Sequence, residues 1–369
     1  MSMPMHPLYI GFTALDVLSV VAVLGLLACW LEVLPQAPVA RVDAAMSRLL
    51  GMAVVLLTLS SVGILIARTL EMEGGRWAGL LSALPIVLKV THYGHVWGFR
   101  LPALALLWYG WRKIGQHRRR AWPAWLMLAA AAAIALTRSE TGHPADNGDF
   151  TLAVWIDWVH LLAGSAWAGS LLGMSLAVFP QLLAQTQKPP LLAAEIFERL
   201  SRLAGFALGA VLLTGAYTAW HELGSWESLW DSQYGRILTA KLLLVAGMIA
   251  LGARNRYGHL PNLQRLSGRS SRRPRLLRHF GAANDKRMVM RPSEESEVRA
   301  CFRTVSVEVL LALGVILAAA ALLHSMPASE MKNAQSSQLS RPASLVLAEH
   351  ALPRTTGIRP RLSVAPGRS

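Results

Sequence analysis

Apolar runs of roughly twenty residues recur along this chain, and each is long enough to cross a bilayer as a helix. No other feature narrows the fold so far. Hydropathy places about eight such spans, near residues 8–33, 49–70, 95–112, 123–138, 152–179, 203–222, 236–254 and 302–325. With 53% hydrophobic and only 15% charged residues, the composition is that of a polytopic membrane protein rather than a soluble domain. The expectation is therefore an all-α polytopic membrane protein of about eight transmembrane helices.

A formal net charge of +15 would suit a nucleic-acid binder if it formed one surface, but the basic residues collect in alternate loops. Arg41 with Arg48, Arg112 to Arg120, Lys188 to Arg202 and the Arg-rich stretch from Arg254 to Arg303 fall on one side. Glu71, Glu73, Glu140, Asp146, Asp149, Glu222, Glu227 and Asp231 mark the other. The positive-inside rule puts the basic set in the cytoplasm and both termini outside. No nucleic-acid partner is expected, and the longest basic loop is expected to lie on anionic lipid headgroups. The opening MSMPMHPLYI lacks the basic region of a signal peptide, so the first run reads as a retained helix. Cys29 and Cys301 both fall near inner helix ends. A thiolate metal pair is one reading there, and two buried small hydrophobes the better one.

Polar landmarks repeat. Tyr93-Gly94 and Tyr234-Gly235 each precede a helix, and a cation, Arg100 or Lys241, follows six residues after each glycine. Asp16 and Asp157 keep the same spacing to those glycines. The chain thus reads as two tandem four-helix halves, 1–138 and 139–327, the second with a basic cytoplasmic loop over 255–300, followed by a disordered outer tail over 328–369. An even number of spans per half sets the pseudo-twofold axis along the membrane normal.

The stretch from Asp157 to Phe179, DWVHLLAGSAWAGSLLGMSLAVF, is apolar enough to span, yet opens with two groups that hydrocarbon penalises by several kcal/mol each. The i, i+3 spacing puts Asp157 and His160 on one helical face, and Trp167 two turns deeper on the same face. Gly164, Gly169 and Gly173 are expected to let another helix approach closely. This reads as a core helix with a polar site near one end, for which Trp155, Trp158 and Trp167 are candidate lining residues.

Topology also sorts the histidines. His6, His92, His95, His143, His160, His221 and His324 fall at outer positions, against His117, His259 and His279 inside. Neutral imidazole ligates Cu, Zn, Fe and Ni, and thioethers favour Cu(I); Met3 and Met5 beside His6, and Met326 beside His324, tilt the set toward copper. Plainer readings stand beside each. His143 suits a solvated loop, His92 and His95 suit interfacial anchoring, and His221 and His324 suit helix C-termini. His160 hydrogen-bonded to Asp157 serves equally as a helix lock or as a ligand whose tautomer is fixed. Arg100 and Lys241 are candidate charge partners of Asp16 and Asp157. Glu308 is expected to pair with Arg303, or, if an ion passes through, to act as an inner relay. No P-loop, Rossmann glycine pattern, serine-nucleophile motif or HExxH occurs, so a hydrolase or nucleotide-driven pump has no support and no enzyme is expected.

From about residue 137 to 327 the chain resembles the copper resistance protein D family (CopD, PcoD type). The resemblance rests on Gly142-His143, Asp157-Trp-Val-His160 with Trp167-Ala-Gly169, Leu200-Ser-Arg202, Thr214-Gly215-Ala-Tyr217, Tyr234-Gly235 through Lys241, Gly252-Ala-Arg254-Asn255-Arg256 and Glu308. Thr91-His-Tyr93-Gly94, Trp97 and Arg100 resemble the family's N-terminal half. The resemblance implies an eight-helix bacterial inner-membrane protein handling copper at the periplasmic face, with a separate CopC-like carrier as a partner. It also implies His143, Asp157 and His160 as site residues. The expected function is copper transport from a periplasmic imidazole and carboxylate site. The alternatives are a haem-binding redox protein, with His160 and His221 or His92 as the axial pair, and a non-transporting copper sensor or assembly factor.

Overall fold

Helix α1 (Pro7–Ala28) is apolar round its whole circumference, the pattern of a helix surrounded by others, and it is the most buried spanning helix of the protein. A computed structural model describes residues 7–35, 40–114, 122–145, 148–184, 190–223, 225–266, 292–322 and 325, and every regular element among them is helical. Helix α1 packs against α2 (Ala40–Met72), α6 (Trp122–Ser139) and α7 (Leu152–Gly173). In turn α7 packs against α9 (Pro190–Leu223) and α13 (Pro292–Leu322). Two pairs complete the bundle: α5 (Arg100–Ile114) lies on α6, and α11 (Gln233–Arg254) lies on α13. The first and second long helices of each set thus pair, as do the third and fourth.

The two sets meet along α1 and α7. A Cβ on Gly169 would collide with the backbone of Val21 and Gly25, and one on Gly25 would collide with Gly169, so only glycine allows this approach. Gly173 also faces α1, near Leu26 and Cys29, whereas Gly164 faces open space and holds no helix contact. Cys29 and Cys301 lie buried in the core without a disulfide. Outward apolar side chains such as Phe206, Leu213 and Leu243 leave α9 and α11 the least covered of the spanning helices, as lipid contact requires.

Among the described residues, six helical stretches are long and apolar enough to cross a membrane. Of the eight expected spans, α5 and α6 fall outside that set. Helices also outrun the expected boundaries: α2 begins at Ala40, α9 at Pro190 and α13 at Pro292, and α11 continues through a wide π turn, Asn255–His259, into α12 (Leu260–Leu266). Hydropathy ends where lipid ends, but backbone hydrogen bonding continues into water or headgroups. The expected loop over 255–300 is accordingly helical at both ends, and its middle, 267–291, lies outside the described residues, as does the tail beyond Ser325. Similar π turns, Cys29–Val33 and Met174–Val178, extend α1 and α7, the latter into α8 (Phe179–Leu183).

The landmark repeat has a common geometry. Helix α3 (Leu80–Val90), too short for a hydropathy window to register, precedes α4 (His92–Gly98); the short α10 (Ser228–Asp231) precedes α11. Thr91 Oγ1 accepts from Gly94 N at 3.0 Å and donates to Val87 O. Ser232 Oγ accepts from Gly235 N at 2.9 Å and donates to Ser228 O. Each glycine is pressed against the backbone of the preceding short helix, at Val87 and Leu88 or at Ser228 and Leu229, where a Cβ has no room. All these pairs stand at the same sequence offset as Asp16 and Asp157.

Candidate functional site

Thr91 caps α4, which leads directly into α5 and its first residue Arg100, while Ser232 caps α11, which carries Lys241. In the first set, Arg100 reaches Asp16 with two bonds, Nη1 to Oδ1 at 2.8 Å and Nη2 to Oδ2 at 3.2 Å. Its Nε donates to Thr137 Oγ1 at 2.8 Å and Nη1 also reaches Ser61 Oγ, while Ser60 and Ser61 donate to Asp16. Asp16 is fully buried and Arg100 nearly so. Every charge here has its partner, which is the condition for burying ions at all. Beside it, burial raises the Tyr93 hydroxyl well above the usual phenol range, partly opposed by the Arg100 charge.

The second set has the same acid and a cation at the matched position but does not close them. Asp157 Oδ2 accepts from Ser139 Oγ at 2.6 Å. Lys241 lies within Coulombic reach of Asp157 and of His160, and forms no hydrogen bond or ion pair among the described residues. A lysine ammonium on a flexible stem lacks the planar fork that locks Arg100.

His160 faces α9, with its Nδ1 2.8 Å from Thr214 Oγ1. The Thr214 hydroxyl gives its one proton to a carbonyl of its own helix, Ala210 O at 2.6 Å or Val211 O at 3.3 Å, so its oxygen accepts from His160 Nδ1–H. The neutral ring then carries its lone pair on Nε2, the form that ligates a metal. In place of the expected hydrogen bond between His160 and Asp157, each residue pairs with a separate hydroxyl: His160 with Thr214, and Asp157 with Ser139, which donates to it.

The other expected ligands are not gathered here. His92 Nε2 lies 3.4 Å from Asp149 Oδ1 at a surface cavity of about 520 Å³ that Arg68, Glu140 and Gly142 also line. His95 Nε2 meets the Lys89 carbonyl at 2.9 Å, and His221 stacks on Tyr217. Thr214, the His160 partner, is seven residues from His221, ~10 Å along α9. His143 opens a turn over His143–Ala145, but its side chain, like all of His6 and His324, lies outside the described residues. No group of three or more His, Cys, Asp or Glu side chains able to hold a metal occurs among the described residues. Glu308 does not pair with Arg303 as expected; it accepts from Asn255 Nδ2 at 2.6 Å, because five residues along a helix do not share a face. Trp158 donates to Ala132 O, Trp155 packs edge-on against it, and Trp167 lines a deeper cavity.

Sequence reasoning gave Ser139 no role and named Thr214 only within a stretch that carries the family resemblance. Hydroxyls in spanning helices are common, and only the fold shows which of them face an ionisable group.

The fold and its buried charged centres define a polytopic helical membrane protein that keeps one ion pair closed and a related acid, imidazole and lysine open. Comparison with known proteins then gives the family. The copper resistance protein D family model matches residues 194–322, and the model of the copper resistance protein D-like N-terminal domain matches residues 3–152; the chain belongs to the copper resistance protein D family. Copper resistance protein D of Pseudomonas syringae pv. tomato is 27% identical over 218 residues, 57% of this chain and 67% of that one. Copper transport protein CutJ of Bacillus subtilis (strain 168) is 32% identical over 120 residues, 32% of this chain. The match covers only 21% of the CutJ chain. No solved structure matches.

Proposed function

We propose that this protein moves copper ions across a bacterial inner membrane, with Asp157 and His160 as the outer site. Membership of the copper resistance protein D family supports a role in copper handling. The observation that carries the site is the His160 ring, held by Thr214 so that Nε2 is the free donor, one helical turn from a carboxylate. Two donors make a partial site rather than a closed cage, and an ion in transit has to be released as well as bound. His143, at the turn just before α7, is the third ligand in this reading. His92, at the nearby surface cavity, is a first contact for incoming ions.

The two helical sets serve as tandem halves, 1–138 and 139–327, with both termini periplasmic and a CopC-like carrier as supplier. Cysteines introduced at Gly142 and Trp226 should then react with an impermeant reagent from the periplasmic side. The central experiment is copper uptake into proteoliposomes. His160→Ala should abolish uptake at unchanged protein level, and undiminished uptake would remove His160 from the mechanism.

A further inference from the structure

Glu308 lies at the wall of a cavity of about 250 Å³ between α7, α9, α11 and α13, at the end of the bundle away from Asp157. Trp167 and Leu171, which line it, stand ten and fourteen residues beyond Asp157 on the same run of helix, ~15 and ~21 Å along its axis. Glu308 is 2% exposed. Its hydrogen bond is from Asn255 Nδ2 to Oε1, and it forms no ion pair among the described residues. Asn255 Oδ1, on the same amide, is buried and meets no donor. Asn255 also opens the π turn that carries α11 onward, and widened turns of this kind recur at functional positions.

An ionised carboxylate only accepts, so ionised Glu308 leaves a buried charge unpaired beside an orphaned amide oxygen. One proton removes both faults. With Oε2 protonated, the acid O–H donates to Asn255 Oδ1 while Oε1 goes on accepting from Nδ2, closing a ring of two parallel hydrogen bonds.

We propose that Glu308 and Asn255 form a proton-binding site facing this cavity, and that proton uptake and release there accompanies copper movement at Asp157 and His160. The coupling rests on the copper reading given above; the proton site does not. Among the residues lining the cavity, those that titrate or carry charge are Glu308, Arg256 and Tyr257, while α7, α9 and α12 present apolar or hydroxyl side chains. Arg256 is turned to the Ser201 carbonyl and lies over the Tyr257 ring. On α13 itself, Arg303 stands five residues from Glu308. Release breaks only the Glu308 O–H bond, passes the proton to water in the cavity, and leaves a carboxylate facing the Arg256 charge across it.

Glu308→Gln is the informative variant, since a glutamine amide donates to Asn255 Oδ1 and accepts from Nδ2, keeping the ring and the fold without a titrating proton. Infrared spectra of purified protein at neutral pH should show a protonated-acid carbonyl band that shifts in deuterium oxide and is lost in Glu308→Gln. Absence of such a band from the wild type would overturn the proton site. In proteoliposomes enclosing a pH dye, copper movement by the wild type should be accompanied by proton flux. Glu308→Gln should lose that flux and the dependence of uptake on a pH gradient. Unchanged flux in the variant would overturn the coupling. If the wild type carries no copper, the copper reading and the coupling fail together while the infrared result still decides the proton site.

Discussion

Replacing Asp16 with Asn asks what the closed centre is for. Asp16 is wholly buried, Arg100 is 4% exposed, and two bonds of 2.8 and 3.2 Å join them. Asparagine keeps the shape but turns an NH₂ toward a guanidinium that can only donate. Arg100 retains Thr137 and Ser61, so the variant loses one of the two bonds to residue 16 and all of the charge compensation. Removing one partner of a buried pair costs about 3–5 kcal/mol, a change of roughly 10²–10⁴ in the folded to unfolded ratio. The double replacement Asp16→Leu with Arg100→Met removes both charges and should regain most of this, because isolated charge rather than lost attraction is the larger cost. The buried Cys29 and Cys301 provide the assay, since a thiol-reactive dye reports unfolding of detergent-purified protein on heating. Copper uptake per folded molecule should stay near the wild-type value. The reasoning fails if Asp16→Asn melts with the wild type, or if folded Asp16→Asn no longer carries copper.

Three further outcomes are expected. Lys241→Arg supplies the fork that Arg100 has, so it should close onto Asp157, leave the melting temperature unchanged or higher, and suppress copper uptake; uptake at the wild-type rate would show that Lys241 does not regulate access to Asp157. Thr214→Val keeps the shape but removes the acceptor that fixes the His160 tautomer, and copper titration should show affinity falling about 10–100-fold, the usual range for a lost outer partner of a ligand. Gly169→Ala forces a methyl into the Val21 and Gly25 backbone and should cost about 1–3 kcal/mol in the same melting assay, whereas Gly164→Ala, which meets nothing within 4 Å, should leave stability at the wild-type level.

What the sequence makes legible follows from periodicity and cost. A spanning helix declares itself through length and apolarity, and a buried Asp or Arg declares itself because hydrocarbon penalises it; Asp16, Arg100, Asp157 and Glu308 were all visible for that reason. Partners are another matter. Asn255 and Thr214 are each more than fifty positions from their partners, Glu308 and His160, and neither residue type is unusual where it stands. Helix α3 stayed hidden because eleven residues with Pro85 inside are too few for a span and too apolar for an obvious loop. The histidines were sorted by side of the membrane, which says nothing of neighbours, and His95 and His221 proved to be occupied by Lys89 and Tyr217.

The matched positions of the two helical sets differ where it matters for binding an ion. Arg100 becomes Lys241, and Ser19, whose hydroxyl only bonds back to Leu15 O, becomes His160. Both changes act in the same direction. The first exchanges a bidentate cation for one that a single bond or none retains, leaving Asp157 to a hydroxyl partner. The second introduces a metal-ligating imidazole one turn away from that carboxylate. A buried acid whose counter-ion is removable can accept an incoming metal without first breaking a closed network, while Asp16 would have to surrender two guanidinium bonds to do so. The closed pair therefore ties α1 to α2, α5 and α6, and in the copper reading proposed above the second set supplies the exchangeable charge. On that proposal, two helical sets with matched landmarks need place an ion site in only one of them.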